Sequence, residues 1–173
     1  MKRWLALLCA VCLLFCVGCQ RQAEPPEVEE KPIWEPEVPK TMDLTALLTR
    51  EEVEKAFPNV TFGEGQLQEH DTLWLFSTED YTTQVSLMVK EPAVTAAEYI
   101  LVLAGQYPAG SLIEAPQLGE SAYWCGDSGE LLVAEGKYVI SLSVQCTTLD
   151  AESRLIIARS LVLNVLERLE KKQ

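Results

Sequence analysis

Residues 138–150 read Tyr138-Val139-Ile140-Ser141-Leu142-Ser143-Val144-Gln145-Cys146-Thr147-Thr148-Leu149-Asp150, and the period of the apolar residues changes at their end. Up to Cys146, the side chains of Tyr138, Ile140, Leu142, Val144 and Cys146 alternate with Ser141, Ser143 and Gln145. That is the period of a strand with one face turned to a core. After Asp150, Leu155, Ala158, Val162, Val165, Leu166 and Leu169 recur every three or four residues, with Ser153, Ser160, Asn164, Glu167 and Lys171 opposite them. That is an amphipathic helix, running to about Lys171, and its apolar stripe needs a sheet to cover.

Upstream of this pair, Leu131 to Ala134, Ala122 to Trp124 and Leu112-Ile113 predict further strands. The turns Gly126-Asp127-Ser128-Gly129 and Glu135-Gly136-Lys137 join them, rich in residues that accept tight turns. Thr95 and Glu98 form a capping box that opens an apolar helix ending at Gly105, and Pro92 precedes it. Short runs near Val60 to Phe62, Thr72 to Ser77 and Thr82 to Lys90 predict strands before that helix. In the last run Val85, Leu87 and Val89 alternate with Gln84, Ser86 and Lys90. A second capping box, Thr49 with Glu52, falls inside helical spacing from Leu44 to Phe57, so the first helix is expected to break at Thr49 and to stop at Pro58. The order helix, strands, helix, strands, helix predicts an α+β domain over residues 42–173, an antiparallel sheet with three helices packed on it. Each half is a helix followed by a meander, without a sequence repeat between them.

The other end of the chain is of a different kind. Met1-Lys2-Arg3 precedes fourteen apolar residues, Trp4 to Val17, and then Gly18-Cys19-Gln20. A basic start, a short apolar run and a small residue at the break have the form of a secretory signal. At about 1.5 Å per residue the run is too short for the roughly 30 Å hydrocarbon core of a bilayer. Val17-Gly18-Cys19 resembles the lipobox of bacterial lipoproteins, in which the cysteine sulfur receives a diacylglyceryl group and the chain is cut before it. The pattern departs at Cys16, where leucine is usual. The resemblance implies a signal peptide over 1–18, lipidation at Cys19 and attachment to the outer face of a bacterial cell membrane. Residues 19–41 then form a tether: the stretch 20–41 carries five of the nine prolines and six glutamates, which disfavours a packed core and favours an extended spacer.

Fourteen Lys and Arg against 26 Asp and Glu give a formal charge of −12, and loss of Lys2 and Arg3 with the leader takes it to −14. Such a surface repels nucleic acid and anionic headgroups, so nucleic acid is not expected as a partner. A diacyl anchor needs no basic patch to hold the membrane.

Of six cysteines, Cys9, Cys12 and Cys16 fall in the leader and Cys19 at the lipid site, leaving Cys125 and Cys146. In an extracytoplasmic domain a disulfide between these two is expected, and two small buried thiols are the other reading. No metal is expected, because the chain's one histidine, His70, and two distant cysteines lack the close spacing of a zinc site.

No catalytic set assembles from the sequence, and no cofactor motif is present. Gly126-Asp127-Ser128-Gly129 resembles the nucleophile loop of chymotrypsin-like serine proteases, and His70 and Asp71 precede it. The Gly-Gly-Pro continuation is replaced by Gly129-Glu130-Leu131, and the surroundings of His70 do not match. A hairpin turn is the reading taken. His70 reads as a solvent-exposed histidine among acids, Glu79-Asp80 as a turn and Gly63-Glu64-Gly65 as another. Trp74, Phe76, Tyr81, Tyr107, Tyr123 and Trp124 are candidates for a pocket lining, with core packing the stronger expectation for most.

The segment Leu118-Gly119-Glu120-Ser121-Ala122-Tyr123, followed by a hairpin, a strand and a long C-terminal helix, resembles small lipoproteins of Gram-positive bacteria. Leu48-Thr49, leading into a helix through Val53, echoes it in the first half. These are similar to domains of unknown function related to the extracellular sensor domain of a mycobacterial serine/threonine kinase. That resemblance implies an antiparallel sheet flanked by helices, in some members a disulfide, and binding in place of catalysis. The expectation is therefore a membrane-anchored, non-enzymatic module that binds a small molecule or an envelope protein. The alternatives are a small envelope hydrolase using Ser128 or a carboxylate pair, and a structural accessory subunit of a membrane complex.

Overall fold

The computed structural model describes residues 42–69 and 71–171. Cys19, the 1–18 leader, the 19–41 tether and His70 lie outside the described residues.

Among the described residues the fold is α+β, with seven strands and three α-helices. The strands are β1 (Gln66–Gln68), β2 (Leu73–Ser77), β3 (Thr83–Lys90), β4 (Leu112–Glu114), β5 (Ser121–Cys125), β6 (Glu130–Glu135) and β7 (Tyr138–Cys146). They form one antiparallel sheet in the order β1-β2-β3-β7-β6-β5-β4. Two meanders thus meet where β3 pairs with β7 along eight residues, from Thr83 opposite Cys146 to Lys90 opposite Val139.

The helices are α1 (Arg50–Ala56), α2 (Ala96–Ala104) and α3 (Ala151–Glu170). Both expected capping boxes form: Thr49 caps α1 with Glu52, and Thr95 caps α2 with Glu98. Asp150 caps α3 by accepting from the Ser153 amide. The break expected at Thr49 is real, with a 3-10 turn over Leu44–Ala46 before α1.

The two faces of the sheet are unequal. One is closed by α1, the 3-10 turn and the long α3, and holds the main core of Leu47, Phe62, Phe76, Trp124, Ile140, Leu142 and Val165. Among the described residues the other carries only α2, which lays Ala96, Tyr99 and Ile100 on Leu132, Ala134 and Val139. At about 1.5 Å per residue this nine-residue helix covers only part of a seven-stranded sheet. Among the described residues no helix crosses β1 to β3 on that side.

Two expectations need correction. Val60 to Phe62 is not a strand: Phe62 drops into the core edge-on to Phe57, with ring centroids 5.4 Å apart, and only Gly63 bonds across, to Ser77 O at 2.9 Å. The edge strand is instead Gln66–Gln68, all of it exposed, so it carried no apolar alternation to read.

The expected Cys125–Cys146 disulfide is also corrected, because both cysteines are free. Cys125 pairs in register with Glu130 and Glu130 with Ser143, three residues from Cys146. Odd spacing on a strand reverses the face, so Cys125 sits on the α2 side and Cys146 on the main-core side. Two strand spacings of about 4.8 Å exceed the roughly 7 Å limit between bridged Cα atoms before the offset along the strand is added.

Candidate functional site

The register on the α2 face lays out three rows across β3, β7 and β6. They are Lys90–Val139–Ala134, Met88–Ser141–Leu132 and Ser86–Ser143–Glu130. Alternation along each strand brings all nine side chains to this face. Ser141 holds the middle, with Met88 and Leu132 on either side of it, and the two charged residues, Lys90 and Glu130, take diagonal corners.

The α2 helix ends above this grid. Past Gly105 the chain turns, with the amides of Gln106 and Tyr107 bonding Leu103 O at 2.9 Å and Ala104 O at 3.3 Å. The turn carries Tyr107 back down to the sheet, where its hydroxyl donates to Glu130 Oε2. From β7, the Ser141 hydroxyl donates to Glu130 Oε1. Leu103, Gln106, Tyr107 and Pro108 form one wall of a cleft of about 410 Å³. Its floor is Met88, Lys90, Leu132, Val139, Ser141 and Glu130. A second hollow of about 500 Å³ lies on the other side of Tyr107, bounded by Ala104, Gly110, Leu112 and Tyr123. Tyr107 is thus the partition between the two.

Glu130 is half-buried, and both of its fixed partners are neutral hydroxyls. None of the ion pairs among the described residues involves it or Lys90. Burial is the largest effect on Tyr107, and with the Glu130 carboxylate and the neighbouring Cys125 it pushes the phenol far above its ordinary value. Tyr107 therefore stays a hydrogen-bond donor at any physiological pH. Burial would raise the Cys125 thiol, but bonds from the Ser128 hydroxyl and from the backbone of Ser128 and Asp127 outweigh it and lower its pKa.

Ser128 is exposed in the β5–β6 hairpin turn, which closes with Gly129 N to Cys125 O at 2.9 Å. The turn reading of Gly126 to Gly129 holds, and the Ser128 hydroxyl is directed to Cys125. Glu79 and Asp80 also lie in a turn, where Asp80 accepts from the hydroxyls of Thr78 and Thr82 at 2.6 and 2.9 Å. Among the described residues no group of three or more His, Cys, Asp or Glu is placed to hold a metal ion. Nor is any described helix long and apolar enough to cross a membrane.

The six aromatic candidates separate. Phe76 and Trp124 are buried in the main core, and Trp74 is tied by its indole N–H to Leu48 O at 2.9 Å. Tyr81 is 71% exposed at a hairpin tip, far from being a lining residue. Only Tyr107 lines the 410 Å³ cleft, and Tyr123 joins it at the second hollow. Lys90, Glu130 and Ser141 were not foreseen as site residues. The available signal was the row of small polar residues, Ser141, Ser143 and Gln145, opposite the apolar face of a central strand. A strand buried on both sides would carry apolar residues there as well.

The chain matches no protein-family model, and comparison with characterised proteins and with solved structures finds no match.

Proposed function

We propose that this protein is a lipoprotein anchored to the outer face of a bacterial membrane through Cys19, and that its domain is a non-enzymatic binding module. Its ligand site is the cleft between the end of α2 and the sheet. The observation that carries the binding reading is the Tyr107–Glu130–Ser141 group, a half-buried carboxylate held in orientation by two neutral donors at the side of an apolar cleft. Ligand sites are commonly apolar concavities in which a few fixed polar groups set orientation. The anchor rests on the Lys2-Arg3 start, the apolar run and the Val17-Gly18-Cys19 ending.

Intact mass of the protein extracted from its native membrane tests the anchor. Residues 19–173 plus a diacylglyceryl group is the expected mass, and an unacylated chain retaining residues 1–18 would remove the lipoprotein reading. For the cleft, small aromatic fragments such as indole are expected to bind the wild type and to lose binding when Met88→Trp, at a half-exposed floor position, fills the cleft. Unchanged binding in a folded M88W protein would remove the cleft as the site.

A further inference from the structure

Glu130 and Lys90 are opposite charges in one cleft that do not meet. Lys90 is in register with Val139, and Glu130 with Ser143, four residues further along β7. At about 3.4 Å per residue and about 4.8 Å per strand spacing, their Cα atoms lie on the order of 16 Å apart on the diagonal of the grid. Two side chains reaching inward leave a gap on the order of 8–12 Å between the charges. Glu91, the acid next to Lys90 in sequence, is occupied with Lys137 at 3.1 Å and does not neutralise it. The Glu130 carboxylate accepts two hydrogen bonds, whereas a carboxylate offers about four lone-pair sites, so it has room for a further donor that carries charge. Between the two charges the open floor is Met88 and Ser141, whose hydroxyl is turned to Glu130, and the apolar side chains of Leu103 and Pro108 face it from the wall.

We propose that the cleft binds a short linear zwitterion of peptide type. Its ammonium end sits on Glu130 beside Tyr107, its carboxylate end on Lys90, and its apolar middle over Met88 and against Leu103 and Pro108. An extended chain rises about 3.4 Å per residue, so three residues match the gap between the charges. A cleft of about 410 Å³ is also of the size that holds a small ligand. The acidic surface, at −12 for the whole chain, draws the ammonium end in and leaves Lys90 as the fixed point for the carboxylate. This ligand class rests on the cleft reading above and narrows it.

The test is isothermal titration of the full-length protein in a mild nonionic detergent with the tripeptide alanyl-leucyl-alanine, its N-acetylated form and its C-terminal amide. The free tripeptide is expected to bind, and each blocked form at least tenfold more weakly. In Glu130→Gln the penalty for N-acetylation is expected to vanish, and in Lys90→Met the penalty for amidation. Each penalty disappears only in the variant that lacks its partner, a pattern that a merely loosened fold does not produce. Thermal unfolding of both variants shows that they remain folded, and Lys90→Met, at a half-exposed side chain, keeps the test usable if Glu130→Gln does not fold. Absence of tripeptide binding, or equal binding of free and blocked forms, overturns the zwitterion. If indole still binds the wild type and not M88W, the cleft survives as a site for another ligand class, and if indole also fails, both readings fall together.

Discussion

Arg168 grips Glu52 with two hydrogen bonds, Nη2 to Oε1 and Nη1 to Oε2, each 2.7 Å. Its Nη1 donates also to Leu47 O at 2.7 Å, so the last turn of α3 is tied both to the first turn of α1 and to the segment before it. Glu52 is at the same time the capping-box acid of α1 and accepts from the Thr49 amide at 3.0 Å and hydroxyl at 2.9 Å. An acid in a first turn and a base in a last turn each also suit the helix dipole. Replacing Arg168 with methionine strands the partly buried carboxylate and the Leu47 carbonyl. A loss of about 2–3 kcal/mol is expected in urea unfolding.

The same pair sets an acid limit. Burial alone would raise the Glu52 pKa, but the bonds from Arg168 and Thr49 outweigh it and hold the carboxyl below its ordinary range. A depressed folded-state pKa stabilises fully above the unfolded value near about 4.3, and the contribution is lost as pH falls through the depressed value. Unfolding free energy measured from pH 6 down to pH 2 is expected to fall less steeply for R168M than for the wild type. Parallel curves would show that the pair does not govern this range.

Gly129 is the position in the β5–β6 turn that no side chain can replace. Its φ is +69°, and a Cβ there would run into the carbonyl oxygen of Val144 on β7, whose own amide bonds Gly129 O at 2.7 Å. Gly129→Ala is expected to cost more than about 2 kcal/mol. Ser128→Ala, one residue earlier and exposed, is expected to stay within about 0.5 kcal/mol. Equal thermal shifts for the two would contradict the tight closure of β6 on β7.

Free thiols on opposite faces are expected to react at very different rates. Cys125 is buried at 3% exposure, whereas Cys146 is half-buried at a strand end. Burial would raise the Cys146 thiol, but bonds from the Thr148 and Thr83 side chains and from the backbone of Thr148 and Leu149 outweigh it and lower its pKa. Iodoacetamide labelling of the native protein followed by peptide mapping should modify Cys146 first and Cys125 only in denaturant. A disulfide-linked Cys125–Cys146 peptide in the unreduced digest would refute the register given above.

Tyr107→Phe removes one of the two hydroxyls on Glu130, and a loss of about 1 kcal/mol is expected. Because the phenol pKa is raised in the folded state, its contribution is complete below the unfolded value near about 10 and is lost as pH rises toward the folded value. The wild type should therefore lose more stability than Y107F between pH 9 and 12. Ultraviolet difference spectra should show Tyr107 ionising only as the chain unfolds.

The elements of the fold were legible to the extent that local chemistry dictates them. Thr49 with Glu52 and Thr95 with Glu98 marked two helix starts, and the alternation from Tyr138 to Cys146 marked the central strand, because capping and face alternation involve neighbours in the chain. The exposed edge strand at Gln66–Gln68 was not legible, since its pairing to Leu73–Leu75 is carried by backbone bonds that leave no apolar pattern. The site was less legible still. Lys90, Glu130 and Ser141 lie on three strands, and their assembly depends on register between segments up to 51 residues apart.

By itself, the sequence determined the α+β class, the helix starts, the strand alternation and the distinct character of residues 1–41, all from patterns within a few residues of one another. It did not determine on which side of the sheet each helix packs. Every residue of α2 except Glu98 is apolar or tyrosine, so Leu101 and Val102, exposed at 60% and 51%, read the same as the buried Ala96 and Ile100. Only the tertiary structure placed α2 on the face opposite α1 and α3, opened the cleft beside it, and set Cys125 and Cys146 on opposite sides. The reason is geometric: a side chain's face depends on the parity of its position along its strand, and its neighbours depend on register across strands, neither of which is a property of any single stretch of chain.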